Sequence, residues 1–264
     1  MAKSRAKVVL WHLAMAGAGL GASAAWHWQR RWGATVAEQR AVLPGDSLVP
    51  QPGLQATRAV GIDAPPSAVW PWLAQIGKDK AGFYCGGPSR RVPPSGEDQA
   101  SVIVPEWQGV APGDSVRLTE SVELTVDLVE PRRALVLGNP ARDGHADVDP
   151  AFDFSWAFVL EPEGPAGTRL VARERYAWTK WPVGLALKAF AWVSFTLGRA
   201  MLVGVKRLAE QAWLSELSGT AIGDPIGSSA APSAAAPAGA GPAAAGGGTD
   251  TGTAAGAGPD GEAA

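Results

Sequence analysis

The chain has 264 residues, of which 46% are hydrophobic, and its formal net charge is -2. This hydrophobic content excludes a wholly disordered chain. The near-neutral charge, with Lys and Arg residues scattered along the sequence, excludes nucleic-acid binding through an overall basic field. Cys85 is the single cysteine, so no intrachain disulfide can form.

A membrane segment is predicted at the N-terminus. From Val8 to Trp28 the chain runs for 21 residues without Asp, Glu, Lys or Arg, which is long enough to span a bilayer as a helix. Basic residues flank this stretch and tryptophans stand near both of its ends, as at the two surfaces of a membrane. We interpret residues 1–31 as a retained single-pass anchor. A signal peptide cleaved near Ala24, which would give a secreted protein, and a soluble helix remain alternatives.

Residues 32–53 are expected to be a linker, and residues 54–217 to form one folded domain. Leu54–Ile62 predicts the first strand. Asp63 is then predicted to cap a short helix with Pro65 and Pro66 in its first turn. Apolar residues recur at helical spacing through Ile76, so one face of this helix should be buried.

Five further strands are predicted from alternating apolar and polar residues. They cover residues 116–118, 122–128, 134–137, 151–161 and 169–178. Consecutive strands with short connections form hairpins, so the sheet should be antiparallel. We expect one apolar face and one face in water.

A long amphipathic helix over residues 183–214 is predicted to cover the apolar face of the sheet. The stripe assigned to its buried side comprises Ala186, Phe190, Val193, Leu197, Met201, Gly204 and Leu208. Lys188 and Arg199 interrupt the apolar run, which disfavours a second membrane span. The opposite, basic face carries Trp192 and Phe195, which either rest on a lipid surface or are covered by neighbouring loops.

The C-terminal residues 218–264 have a different composition, because 41 of these 47 residues are Ala, Gly, Pro, Ser or Thr. Such a segment buries too little apolar surface to offset its ordering entropy. It is therefore expected to be a disordered tail, most simply a spacer.

Dispersed motifs follow in a fixed order along residues 32 to about 210. They are Trp32-Gly33-Ala34-Thr35, Leu43-Pro44-Gly45-Asp46, Thr57-Arg58-Ala59-Val60, Ile62-Asp63-Ala64-Pro65-Pro66, Val69-Trp70-Pro71-Trp72-Leu73, Gln75-Ile76-Gly77, Ala81-Gly82-Phe83-Tyr84, Val104-Pro105-Glu106-Trp107-Gln108, Gly113-Asp114 and Met201-Leu202. In these motifs and in its order of elements, the chain resembles the START-like superfamily of polyketide cyclases and lipid-transport proteins. The resemblance is greatest to an actinobacterial branch without an assigned activity.

This resemblance implies an α+β, helix-grip fold in which an antiparallel sheet wraps around a long C-terminal helix, here joined to an N-terminal transmembrane helix and a disordered C-terminal tail. It implies a cavity between sheet and helix, which different members use to carry lipids, bind hormones or cyclise polyketides. The fold does not fix one reaction. The chain departs from its relatives after Tyr84, where they have an aromatic and acidic stretch and this chain has Cys85-Gly86-Gly87-Pro88-Ser89-Arg90-Arg91. The ligand is therefore left open.

Aromatic side chains on the last two strands are expected to face this cavity, with core packing as the alternative role. The residues predicted to contact a ligand are Phe83, Tyr84, Trp107, Phe152, Phe154, Trp156, Phe158, Glu174, Tyr176 and Trp178. Glu174 is the main polar candidate, because its position on the apolar face suits proton transfer or hydrogen bonding to a ligand. Its alternative role is an ion pair with an arginine from the first strand or the loops.

The sequence thus predicts the binding or carriage of a hydrophobic small molecule or lipid, at a membrane reached through the N-terminal segment. One alternative is a cyclase or dehydratase-like enzyme with Glu174 or Tyr84 as acid or base. Another is a non-catalytic interaction module displayed at the membrane. No catalytic residue is assigned, and no cofactor or metal site is predicted, because the chain has no nucleophile elbow, phosphate-binding loop, dinucleotide fingerprint or zinc motif.

Overall fold

The computed structural model describes residues 2–86, 100–120, 122–139 and 151–222. Within these ranges the helices are α1 (Ala2–Arg30), α2 (Val36–Arg40), α3 (Pro66–Ala74) and α4 (Trp181–Ile222). The strands are β1 (Leu54–Ile62), β2 (Ser115–Arg117), β3 (Glu123–Glu130), β4 (Ala134–Gly138), β5 (Asp153–Glu163) and β6 (Gly167–Ala177). The predicted bounds of the first strand are confirmed, and the other predicted elements shift by a few residues.

The six strands form one antiparallel sheet in the order β1-β6-β5-β4-β3-β2. Strands β2 to β6 are neighbours in chain order, as hairpins require, whereas β1 pairs with the last strand. α3 lies between β1 and β2 in the chain, and α4 follows β6. This arrangement confirms the predicted α+β class and the helix-grip fold.

α3 begins later than the sequence indicates. Its N-cap is Pro65, in an extended conformation, and its first residue is Pro66. The predicted capping role of Asp63 is wrong, since its side chain is 96% exposed and its backbone N–H donates to Glu210 Oε1 at 2.8 Å. A residue before proline is disfavoured in the helical region, so two consecutive prolines delay the start of the helix.

α4 covers the inner face of the sheet, but the predicted buried stripe is partly wrong. Ala186 is exposed, and Phe190 and Val193 are 48% and 39% exposed. The buried residues of α4 instead include Leu187, Ala191, Ser194, Gly198, Met201, Val205 and Leu208. Small residues dominate the first half of this stripe, because they let the helix backbone approach the sheet closely. A hydrophobicity pattern alone does not predict that small residues lie on the buried face of the helix.

The outer face of the sheet is not wholly in water, in contrast to the prediction. Residues 33–50, which we name the strap, lie across β1, β5 and β6. Arg173 on β6 is 1% exposed and donates to Asp46 Oδ2 at 2.7 Å, to the Ala41 carbonyl at 2.7 Å and to Thr57 Oγ1 at 3.0 Å. Arg169 also contacts the strap, through Glu38 at 2.6 Å. The segment expected to be a linker is therefore packed against the domain.

α1 is a single helix whose C-terminal end packs against β1 and α4. Gln29 is fully buried, and the Trp28 ring meets Phe195 of α4 edge-on at 5.2 Å between centroids. Upstream of this contact, Met15 and Leu20 are largely exposed. The side chains of the first 14 residues lie outside the description.

Among the described residues, the helix that is long and apolar enough to cross a membrane is Trp181–Gly219 within α4. One face of this helix lies in the core of the domain, so its apolar composition is that of a core helix. The structure thus gives the predicted N-terminal anchor no support of its own, and the anchor stays a prediction. α4 continues to Ile222, so the first residues of the predicted tail are helical. The rest of the predicted tail lies outside the described residues.

Candidate functional site

A small cavity of about 80 Å³ lies between α4 and the inner faces of β5 and β6. Its walls are mostly apolar and include residues of the loop after α3. The lining residues are Phe83, Cys85, Leu118, Phe154, Trp156, Glu174, Tyr176, Phe190, Ser194, Leu197, Gly198 and Met201. Phe190 and Leu197 are partly exposed, so they form the rim where the cavity reaches the surface.

Strand register brings the aromatic lining together. Phe154 on β5 pairs with Tyr176 on β6, and Trp156 pairs with Glu174. The rings of Phe154 and Tyr176 lie 4.7 Å apart between centroids, and Phe83 stacks on Trp156 at 6.4 Å. These spacings are those of favourable aromatic pairs. They give the cavity a rigid wall.

Glu174 forms an ion pair within the apolar interior. Its Oε1 accepts a hydrogen bond from Arg58 Nη1 at 2.7 Å, and both side chains are less than a tenth exposed. Arg58 on β1 pairs in register with Ala172, two residues before Glu174, so the two side chains are diagonal neighbours on the same face. Of the two roles considered for Glu174, the ion pair with an arginine of the first strand is the one present.

The other oxygen of Glu174 accepts two hydroxyl groups. Ser194 Oγ donates to Glu174 Oε2 at 2.5 Å and Tyr176 Oη donates to it at 3.1 Å. Burial, together with the neighbouring Glu174 charge, raises the pKa of Tyr176 well above its ordinary value. The phenol is therefore a fixed hydrogen-bond donor at neutral pH. The charge of Glu174 is balanced without a ligand.

Arg58 links this polar group to the end of α1. Its Nε donates to the Gln29 carbonyl at 3.2 Å, and its guanidinium lies over the Phe195 ring at 5.6 Å. Gln29 Nε2 is buried and has no hydrogen-bond partner among the residues that the structure describes. We name the set of Gln29, Arg58, Glu174, Tyr176 and Ser194 the polar cluster. It joins α1, β1, β6 and α4 at the base of the cavity.

The loop after α3 brings Phe83 and Cys85 to the cavity by an unusual backbone path. Tyr84 has a φ of 55°, which is rare for a residue with a side chain. Gly204 of α4 lies directly against it, and a Cβ at position 204 would overlap the Tyr84 carbonyl oxygen. The Tyr84 side chain points into the core, where its hydroxyl donates to the Trp72 carbonyl at 2.9 Å.

Cys85 lines the cavity as a neutral thiol. It is 1% exposed, and burial raises its pKa to about 12. Its Sγ lies 3.5 Å from the Phe83 carbonyl oxygen and 3.6 Å from that of Leu197. A thiol with so high a pKa is a poor nucleophile at neutral pH.

The structure brings five of the ten predicted contact residues to the cavity wall, namely Phe83, Phe154, Trp156, Glu174 and Tyr176. Phe158 is buried deeper on β5, and Phe152 is half-buried at the end of the sheet. Trp178 packs against Gly53 and Gly184, and Trp107 lies in a short 3-10 helix away from the lining. Tyr84 belongs to the core.

Sequence reasoning offered an arginine of the first strand as a partner of Glu174, but it did not assign Ser194 and Gly198 of α4 to the site. Both residues lie outside the predicted apolar stripe, although they line the cavity. Arg58 stands among alternating strand residues at an inward position. That inward register was the available signal for it, because a lone inward arginine needs a buried acidic partner.

No metal-binding group was found among the described residues, where no three His, Cys, Asp or Glu side chains converge. Glu174 is the carboxylate that lines the cavity. Its oxygens already bind Arg58, Ser194 and Tyr176.

Comparison with solved structures gives distant similarities. An aromatase/cyclase, ZhuI from Streptomyces sp. R1128, is 16% identical, with 60% of this chain and 94% of that chain covered and a TM-score of 0.38. A norcoclaurine synthase of Thalictrum flavum is 11% identical, with 60% and 95% covered and a TM-score of 0.38. A protein of Nitrosomonas europaea is 15% identical, with 60% and 96% covered and a TM-score of 0.41.

No family model and no curated protein matches the chain. At these identities and TM-scores, the similarities carry nothing about what this chain binds or does. The helix-grip assignment rests on the strand order and on the position of α4.

Proposed function

We propose that this chain, which has the helix-grip fold of the START-like superfamily, binds the apolar end of a hydrophobic small molecule or lipid beneath α4, at a membrane to which α1 anchors it. The observation that supports binding is the cavity itself, which has an aromatic wall and one polar cluster at its base. Ligand sites are typically apolar with a few placed polar groups.

The size of the cavity limits what enters it. Its volume of about 80 Å³ is well below the range of roughly 300–1,000 Å³ that is usual for drug-sized ligands. A whole lipid does not fit in this space. Because Phe190 and Leu197 form an open rim, a longer molecule can insert one end and leave the rest outside. This favours a ligand with a narrow, unbranched apolar end.

The polar cluster indicates the kind of group that the ligand carries. Ser194 and Tyr176 both donate to Glu174, so their hydroxyl oxygens keep lone pairs that can accept a hydrogen bond. A ligand hydroxyl or amide N–H can donate to them. A ligand carboxylate would instead lose its water in an apolar site whose arginine is already paired with Glu174. We therefore expect neutral donors to be preferred over anions.

The enzyme alternative finds no specific support in these contacts. Glu174 is held by three donors, and the Tyr84 hydroxyl bonds to a backbone carbonyl in the core. Tyr84 also does not line the cavity. A non-catalytic interaction module would not need a cavity with an aromatic wall.

The test is calorimetric titration of the full chain with linear alcohols from butanol to decanol. Leu197→Trp at the rim should fill the entrance and reduce alcohol affinity at least tenfold. Val203→Trp is the matched control, since Val203 lies on the same helix but is 44% exposed and away from the cavity. Equal affinities of the two variants, or no binding by the native chain, would reject the proposal.

A further inference from the structure

α4 has a second apolar face that the sheet does not cover. Trp181, Leu185, Trp192 and Val203 are all largely exposed, from 77% at Trp181 to 41% at Trp192. They are spaced by 4, 7 and 11 residues, which places them along one side of a helix. We name these four residues the outer stripe. With this second apolar face, α4 is long and apolar enough to cross a membrane although one of its faces lies in the core.

The charges around the outer stripe are all positive within α4. Lys188 and Arg199 are exposed and occupy the same side of the helix, at helical spacing from Trp181 and Trp192. The 35 residues from Arg175 to Ala209 contain no Asp or Glu. Tryptophans together with Lys or Arg on one face are typical of a helix that lies in the plane of a membrane surface.

The outer stripe lies beside the end of α1. Trp28, half-exposed at the end of α1, packs on Phe195, which also meets Trp192 at 6.5 Å between ring centroids. Phe190 of the cavity rim lies nine residues after Trp181, on the opposite side of α4. The outer stripe is thus continuous with the end of α1 and separate from the mouth of the cavity.

We propose that the outer stripe of α4 rests on the surface of an anionic lipid bilayer, with its tryptophans at headgroup depth and Lys188 and Arg199 against lipid phosphates. Long basic side chains can reach the headgroups while their stems cover apolar surface. The inference does not depend on the cavity being occupied.

The experiment uses the full chain carrying Leu185→Cys, labelled with an environment-sensitive NBD fluorophore and mixed with vesicles. Val42→Cys is the matched control, since Val42 is a 90% exposed apolar residue of the strap, on the outer face of the sheet. The native chain serves as the labelling blank because Cys85 is buried. Vesicles of phosphatidylcholine alone are compared with vesicles that also contain phosphatidylglycerol.

We expect a blue shift and quenching by brominated lipid at position 185 in the anionic vesicles, and neither at position 42. The double substitution Lys188→Glu with Arg199→Glu should remove most of that shift without lowering the Tm. An unshifted label at position 185 would overturn the proposal. An equal shift in neutral vesicles would overturn its anionic component. A shift without vesicles would assign the stripe to contact between copies of the chain and would also overturn it.

Discussion

Arg58 Nη1 lies 2.7 Å from Glu174 Oε1, and neither side chain reaches solvent appreciably. The pair joins the first strand to the last one at the base of the cavity. A buried ion pair does not in general add stability over a well-packed apolar pair, but breaking it leaves an uncompensated charge. The role of the pair is therefore to hold the polar end of the cavity in place.

Removing one member of this pair should be costly. Arg58→Met leaves the Glu174 carboxyl buried without its cationic partner, so we expect a loss of about 3–5 kcal/mol in the free energy of unfolding. The double variant Arg58→Met with Glu174→Leu removes both charges and should recover most of that loss. Urea denaturation of the two variants checks this. A double variant that is less stable than Arg58→Met would contradict the account.

Two glycines of α4 should respond differently to alanine. Gly204→Ala puts a Cβ onto the Tyr84 carbonyl oxygen and should cost about 1–3 kcal/mol, as overpacking does. At Gly198 the new Cβ would lie at ordinary contact distances, 3.4 Å from Arg58 and 3.6 Å from Glu174. Gly198→Ala should thus gain up to about 1 kcal/mol from helix propensity. Thermal unfolding of both variants measures the contrast, and equal effects would refute it.

Replacing Arg173 by lysine should cost more stability than the same replacement at a surface arginine. Its guanidinium donates to the side chains of Thr57 and Asp46 and to backbone carbonyls of the strap. A lysine ammonium cannot reproduce this fork, so Arg173→Lys should lose about 2–3 kcal/mol. Arg133→Lys, at a 70% exposed site, should change stability by less than about 0.5 kcal/mol. A comparably small change at Arg173 would show that the strap is not held by this residue.

Cys85 should make stability fall at alkaline pH. Its pKa in the folded state, about 12, exceeds the ordinary value of 9.0, so folding disfavours the thiolate. The contribution is constant below pH 9, and stability is lost as pH rises from 9 towards 12, by about 1.4 kcal/mol per pH unit. Because Tyr84 and Tyr176 also have raised pKa values, the measured quantity is the difference between the native chain and Cys85→Ala. A difference that stays constant across this pH range would contradict the assignment.

The sequence predicted the fold better than the site, for a physical reason. Strand alternation is a local property, and it located β1 and β5 from their apolar residues alone. The ion pair between Arg58 and Glu174 joins residues that are 116 positions apart, so local patterns offered it only as one of two roles for Glu174 and did not identify the arginine. α4 lies closest to its surroundings at Gly184 and Gly204, where a Cβ would overlap Trp178 and Tyr84. An apolar stripe does not encode these close contacts.

The central claim is that a ligand end enters the cavity beneath α4, and intermolecular NOEs test it most directly. With octanol bound to the full chain, the account predicts NOEs from the octanol methyl and methylene protons to the rings of Phe154 and Tyr176. Only two tyrosines occur in the chain, which makes the second assignment tractable. NOEs confined to exposed rings such as Trp181, with none to Phe154 or Tyr176, would contradict the account.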